Sequence, residues 1–463
     1  EKRIAELTPL SETLNTPLGT VNLLTVSELQ KQTYSIPWLE VLRAIYPAGV
    51  FDDSTELLIV SQDYLRDVST IVSSTDRSTL NNYLMWRLAH SFLPHLSKEY
   101  WEVVDIHNKD MLGNKEPLER WDMCIQTTQR FFALSLGALY SKHNVGLKKS
   151  KPMVEVLFES TRNSIFNSIS ASPRYLSSLR TRAVDKLKAI QLRIGFPESV
   201  TNPTFLDAYY SAMSVQVNDF FGNILYGVHF QRKVEERMLV NPTEEDRWIW
   251  ALDKLQVTYV PESHVVVVPE YILVPPIFEP NYPMPMLYGS LATQLASSLI
   301  ESISETGLLY DTHGLLLPQD SQMNNETVSR LMYQRKCLTE ALVDKVEDED
   351  IVLRTVRNTL LDITGVGQAF KTLKAQTVDQ RRTEYTALEF LSQEQLFFLS
   401  FAQTLCSNAT VKHREMERST DFHLGEEARL RALILQSPEF TSAFNCNATE
   451  PMHYMKRQCG RAL

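Results

Sequence analysis

Apolar residues recur every three or four positions along most of this chain, and the pattern changes only in a short central stretch. Leu176, Leu179, Ala183, Leu187, Ile190 and Ile194 follow the helical period with Lys and Arg between them. Gly195 and Pro197 then supply the stop, so the spacing predicts one helix ending at Ile194. The runs Trp86 to Phe92 and Phe131 to Tyr140 read the same way, with turns such as Phe196-Pro197-Glu198 between helices. None of these first-half helices carries a cluster of titratable groups, so they read as scaffold.

After Asn241-Pro242 a helix around Trp248 to Leu255 gives way to β-branched alternation. Val257-Thr258-Tyr259-Val260 predicts a strand, Pro261-Glu262-Ser263 a turn, and Val265 to Val268 the returning strand. Pro269, Pro275, Pro276, Pro280 and Pro283 predict an extended, non-helical connection. A helix resumes at Tyr288, with Leu291, Leu295 and Leu299 on one stripe, and most of the remaining chain reads as helix.

Length, composition and charge narrow the classes. A chain of 463 residues exceeds what one core usually serves, so two domains are expected. Hydrophobic content of 43% with 15 Gly and 21 Pro is the balance of an ordered globular protein. The net charge of −10 is spread along the chain, and the short run Lys148, Lys149, Lys151 lacks interleaved aromatics, so no nucleic-acid surface is expected. No stretch reaches the roughly 18 uninterrupted apolar residues of a membrane span, and no signal-like segment follows Glu1-Lys2-Arg3. Sequons at Asn325, Asn408 and Asn447, with Cys124, Cys337, Cys406, Cys446 and Cys459 in no CxxC spacing, point to an oxidising, glycosylating compartment. The expected location is extracellular, secreted or as the ectodomain of a membrane-anchored protein.

The histidines carry a chemical exclusion. They stand at 90, 95, 107, 143, 229, 264, 313, 413, 423 and 453, and no two are three or four residues apart. No helix can therefore present a histidine pair on one face to a metal ion.

Val274-Pro275-Pro276-Ile277-Phe278-Glu279-Pro280-Asn281-Tyr282-Pro283 with Leu287-Tyr288-Gly289-Ser290, Arg193-Ile194-Gly195-Phe196-Pro197, Gly365-Val366-Gly367-Gln368-Ala369-Phe370, Gln395 to Gln403, and Pro438-Glu439-Phe440 near Cys446 form an ordered set of stretches. Together they resemble the neprilysin and endothelin-converting enzyme family of zinc metallopeptidases. The resemblance covers nearly the whole chain. It implies a mainly α fold with a small β-sheet, in that family's two-lobed architecture with a thermolysin-like C-terminal lobe enclosing a cleft. Residues 1–225 are expected to form a helical lobe, part of the cleft-covering domain, and 226–463 the thermolysin-like, formerly catalytic lobe.

In that family an H-E-x-x-H helix holds zinc with two histidines, and its glutamate is the general base. Counting from Tyr288-Gly289, and checking against Asp311 to Gly314, the five motif positions here are Ser297, Ser298, Leu299, Ile300 and Glu301. The third ligand's position, counted back from Gly367-Gln368-Ala369-Phe370, is Asn358, while the motif's Asp remains as Asp362. The resemblance thus implies a pseudopeptidase with no zinc or other cofactor, its degenerate positions being Ser297, Ser298, Glu301 and Asn358. Glu301 is expected to be solvated or paired with a basic side chain.

The substrate-contacting groups of the family match His423, Arg429 and the pair Gln256-Val257, where Gln and Val replace an Asn-Ala pair. Two roles stay open for the first two: donors to a peptide carbonyl, or a loop cap and an ion-pair partner of Asp362. The resemblance also implies a Cys337–Cys459 bridge, with Cys124, Cys406 and Cys446 bridged to a missing N-terminal segment. The expected function is peptide binding or sequestration in the cleft without cleavage. The alternatives are a structural or regulatory partner that dimerises with an active relative, and a metal-independent serine hydrolase using Ser297 or Ser298 with His423 and Asp421. Mid-helix serines lack the strained turn that activates a nucleophile, which weighs against the last.

Overall fold

Valine alternation at the chain's centre does become a sheet, but one with three strands. The computed structural model describes residues 1–9, 22–47, 49–114, 116–117, 119–144, 146–171, 177–243, 248–317, 325–343, 345–376, 388–420 and 423–459. The chain is mainly α with small sheets, divided into two compact units.

The first unit comprises Glu1–Leu136, Asn202–Thr243 and Thr410–Met416. It is built of helices, among them Arg77–Phe92, Lys98–Leu112 and Phe220–Val240, with one antiparallel pair, β1 (Asn22–Thr25) on β2 (Glu56–Ile59). An aromatic cluster of Phe132, Tyr209, Tyr210 and Phe230 lies inside it.

The second unit comprises Gly137–Thr201, Glu244–Ala409 and Glu417–Leu463. Its sheet has the order β3 (Gln191–Ile194), β5 (Val265–Val268), β4 (Thr258–Val260), with β3 parallel and β4 antiparallel to β5. The helices that build its core are α1 (Leu147–Ala171), α2 (Ser177–Ala189), α3 (Leu291–Glu301), α4 (Asn325–Leu342), α5 (Glu349–Ala375), α6 (Gln393–Thr404) and α7 (Glu426–Leu435).

Three expectations need correction. The helix expected through Ile194 stops at Ala189, and residues 191–194 form β3 instead, paired Gln191 to Val265 through Ile194 to Val268. A strand partner some 70 residues downstream outweighs the local helical spacing, because sheet pairing is a tertiary effect. The cut near residue 225 falls inside helix Phe220–Val240 of the first unit, since the chain passes between the units several times. Residues 137–201 belong to the second unit because Val154, Leu157, Ile165, Ile169, Ala183 and Leu187 pack with Leu287, Leu291, Leu295 and Leu299 in one core. Finally, the Pro-rich connection is interrupted by a 3₁₀ turn at Glu270–Ile272, and the Trp248 region is 3₁₀, over Ile249–Asp253.

The hairpin itself matches its reading, with residues 261–264 turning between β4 and β5. His264 closes the turn at φ 53°, a left-handed conformation that His tolerates better than β-branched residues. A second apolar cluster holds Cys337, Leu338, Leu342, Val352, Val356, Leu424 and Ala432 around the Cys337–Cys459 disulfide.

Candidate functional site

Helix α3 is buried nearly all round except at Gln294, Ser297 and Glu301, which share one face with the buried Ser298. Leu291, Leu295 and Leu299 fill the core, whereas Gln294, Ser297, Ser298 and Glu301, at the i, i+3, i+4, i+7 spacing, line a cavity of about 320 Å³. Helix α5 contributes the facing stripe Asn358, Leu361, Asp362 and Val366. The edge strand and the residues before it add Leu255 to Tyr259, α6 and its C-cap add Phe401, Thr404 and Leu405, and the far wall holds His423 and Arg429. The cavity lies within the second unit. Its wall brings together Gln256, Val257, Ser297, Ser298, Glu301, Asn358, Asp362, His423 and Arg429.

Close packing sets the floor. A Cβ placed on Gly365 of α5 would stand 2.2 Å from Ser297 Oγ and 2.9 Å from the Ser297 main-chain nitrogen, so α3 and α5 touch where only glycine fits. The two serines spend their protons locally: Ser297 Oγ donates to the Leu361 carbonyl at 3.5 Å and Ser298 Oγ to the Val257 carbonyl at 3.3 Å. Gln294 Oε1 accepts from the Val257 N–H at 3.1 Å. Both main-chain groups of Val257 are thus engaged by α3. Gln256 beside it is exposed.

The charged groups are arranged in pairs. Arg429 donates from Nε and Nη2 to the two oxygens of Asp362, at 2.6 and 2.7 Å. Of the roles the sequence left open for Arg429, this structure holds the ion pair. Behind the wall, Arg357 stands 3.8 Å from Glu301 and 3.8 Å from Glu305, and Arg335 contacts Glu305. Burial in the wall pushes the Glu301 carboxyl above its ordinary range, against the lowering pull of Arg357 and His423. Burial, then the Glu301 charge, also raises the hydroxyl of Tyr259.

Sequence reasoning missed two residues of this site. Gln294 sits one turn before Ser297 on the same face, and the 3-4 spacing of α3 would have found it. Arg357 adjoins Asn358, and only the approach of α5 to the end of α3 shows its partner. Of the expected hydrolase set, Asp421 lies outside the described residues. Among the described residues, no group of three or more His, Cys, Asp and Glu is arranged to hold a metal ion.

Elsewhere, Cys124 and Cys406 are exposed and Cys446 is half-buried. Asn408 and Asn447 are exposed, and the Asn325 side chain lies outside what is described. Among the described residues, no helix is long and apolar enough to cross a membrane.

Comparison with known proteins places this chain in a family. Two models of peptidase family M13 match, over residues 1–197 and 257–460. The chain is 26% identical to rat endothelin-converting enzyme-like 1 over 440 residues, covering 93% of this chain and 55% of that protein. It is 27% identical to bovine endothelin-converting enzyme 1 over 433 residues, covering 93% of this chain and 57% of that one. The chain therefore spans little more than half the length of these relatives. In fold it is similar to zinc metalloprotease Zmp1 of Mycobacterium tuberculosis, solved with an inhibitor, at TM-score 0.82, 20% identity and coverage of 99% of this chain and 69% of that one. PepO of Lactobacillus rhamnosis gives TM-score 0.81 at 16% identity, with the same coverage.

Proposed function

Because the chain belongs to peptidase family M13, we propose that it is a non-catalytic member of that family, which binds peptides in the α3–α5 cavity without cleaving them. The observation that carries this reading is the donor set. Catalytic zinc takes three N, S or O ligands and leaves a position open. Here Ser297 donates its proton to a carbonyl, both oxygens of Asp362 are held by Arg429, and Asn358 offers a neutral amide. Among the described residues of the wall, Glu301 is the carboxylate outside such a hydrogen-bonded pair. These residues do not fit a zinc site, and no step of the mechanism runs through a metal.

What remains is a shaped cavity beside the edge strand of a sheet. β4 is the outer strand in the order β3-β5-β4, and Thr258 and Tyr259 line the cavity. An extended peptide along such an edge gains main-chain hydrogen bonds, with the adjoining cavity choosing one side chain. Ile277, Leu361, Val366, Phe401 and Leu405 give that cavity an apolar part, and Gln294, Glu301, Asn358 and His423 a polar part. The serine-hydrolase alternative is disfavoured, because Ser297 and Ser298 lie within a helix with hydroxyls donating to main-chain carbonyls, without the strained turn that exposes an activated nucleophile.

The disulfide and the exposed Asn408 and Asn447 sequons support an extracellular location, secreted or as an ectodomain. A structural or regulatory role is the second reading, favoured by exposed Leu84, Trp86, Leu88, Val103 and Ile106 on helices Arg77–Phe92 and Lys98–Leu112, since large exposed apolar surfaces mark interfaces. The deciding experiment is equilibrium binding of a blocked peptide library, with mass analysis of the recovered peptides. Intact, enriched peptides support the first reading. No enrichment, with self-association in sedimentation, would support the second.

A further inference from the structure

The first unit holds a cavity of its own, of about 370 Å³, at the low end of the size range of small-ligand pockets. Helix Lys98–Leu112 gives it Trp101, Val104, Asp105 and Asn108, spaced i, i+3, i+4, i+7. These four are half-buried, while the residues at 102, 103, 106 and 107 beside them are exposed. Helix Arg120–His143 turns Met123 and Arg130, two turns apart, to the same space, and the 3₁₀ turn Leu93–His95 adds Pro94 and His95. The Trp101 indole is fixed in this wall, its Nε1 donating to the Pro94 carbonyl at 2.6 Å. Burial, then the Arg130 charge, lowers the His95 imidazole from its ordinary 6.5, so that ring is neutral at neutral pH. The charges of the wall are then Asp105 and Arg130, one of each sign. Arg130 lies 5.1 Å over the Phe131 ring, and among the described residues neither Arg130 nor Asp105 forms an ion pair. Two opposite charges thus share one cavity without meeting.

We propose that this cavity binds a small zwitterion with an apolar side chain, a free α-amino acid or an unblocked dipeptide, its ammonium on Asp105 and its carboxylate on Arg130. Asp105 lies about 6 Å along its helix from Trp101, at 1.5 Å per residue. The Arg130 charge acts on His95, whose neighbour Pro94 holds Trp101. The two charged groups are therefore set apart along the wall, as the two ends of a zwitterion are. A ligand of one sign leaves the opposite wall charge unmatched, whereas one bearing both signs makes two charge-assisted bonds, of which carboxylate to guanidinium is the more directional. The Asn108 amide oxygen, one turn beyond Asp105, offers the ammonium a second acceptor. Trp101, Val104 and Met123 supply apolar surface for the side chain. The site is separate from the α3–α5 cavity and does not rest on the peptide-binding reading.

The test is calorimetric titration of the whole chain with L-phenylalanine, the unblocked dipeptide Ala-Phe, N-acetyl-L-phenylalanine and L-phenylalanine amide. One of the two zwitterions is expected to bind about tenfold more tightly than either singly charged derivative, as the loss of one charged hydrogen bond implies. Which zwitterion binds more tightly identifies the source. Asp105→Asn is expected to weaken the zwitterion and the amide about tenfold and to leave the N-acetyl derivative unchanged. Arg130→Gln is expected to weaken the zwitterion and the N-acetyl derivative and to leave the amide unchanged. Both variants are expected to keep the wild-type melting temperature, and the ligand series on the wild-type chain reads the same charge preference without any substitution. Equal affinity for the zwitterions and both derivatives overturns the inference, as does no binding of either zwitterion at millimolar concentration. Loss of all four ligands alike in one variant, with an unchanged melting temperature, also overturns it, because that residue would then shape the cavity and not match a ligand charge.

Discussion

The Arg429 guanidinium holds Asp362 through two parallel hydrogen bonds, and this pair ties α7 to α5 across the cavity wall. Asp362 is buried, with 11% of its side chain exposed, so removing its partner strands a carboxylate. Arg429→Ala is expected to destabilise the second unit by about 2–3 kcal/mol, read by urea denaturation. Arg429→Met with Asp362→Leu, which removes both charges, is expected to recover most of that loss. If the double variant is as unstable as the single one, the ion pair is not the cause.

The contact of Gly365 with Ser297 predicts a steep response to one methyl group. Gly365→Ala forces α3 and α5 apart and is expected to cost about 1–3 kcal/mol. Adding Ser297→Ala removes the hydroxyl from the clash but leaves the main-chain nitrogen in it, so only part of the stability returns. An unchanged melting temperature for Gly365→Ala would refute the close approach.

His264 predicts an acid limb in the stability profile. Its Nε2 faces the Lys186 carbonyl at 2.9 Å, which can only accept, so Nε2 carries the proton and Nδ1 accepts from the Tyr259 hydroxyl at 3.0 Å. Burial, then the neighbouring Lys186 charge, pushes this imidazole down to about 4 from its ordinary 6.5. Between those values the unfolded chain binds the proton and the folded chain does not, so stability falls as pH drops from 6.5 towards 4 and levels off below. The loss is about 3 kcal/mol. His264→Asn, which keeps a residue tolerant of the left-handed turn, is expected to flatten that limb in denaturation curves taken at successive pH values.

The Cys337–Cys459 bridge closes a loop between residues 122 apart. Replacing both with Ala is expected to cost about 4–5 kcal/mol, chiefly by freeing the unfolded chain. Because both cysteines sit in the cluster with Leu338, Val352 and Leu424, that cluster is expected to lose hydrogen-exchange protection before the core around Leu295. Simultaneous loss across the whole unit would contradict two separate cores.

Legibility in the sequence tracked how local each feature is. The hairpin at Val257–Val268 and the Leu291, Leu295, Leu299 stripe depend on near neighbours, and both were readable. So was the gathering of Ser297, Glu301, Asn358, Asp362, His423 and Arg429 at one cavity, because family resemblance carries long-range geometry that periodicity cannot. Strand β3 was misread as helix, since Leu192 and Ile194 find their partners only in β5. The engagement of Val257 by Gln294 and the place of Arg357 between Glu301 and Glu305 went unread for the same reason. The division of the chain was missed because the chain re-enters each unit, crossing after residues 136, 201, 243, 409 and 416, and only the crossing at 243 lies beside a change of pattern.

The central claim is that this cavity binds peptides and performs no zinc chemistry on them. The measurement that meets it most directly is incubation of the chain with a blocked peptide library, once with excess zinc and once with a chelator, followed by mass analysis of bound and free peptides. The account predicts the same peptides retained and recovered intact in both, since Ser297, Asn358 and the Arg429-bound Asp362 do not form a zinc ligand set. Cleavage products that form with zinc and vanish with the chelator would contradict it.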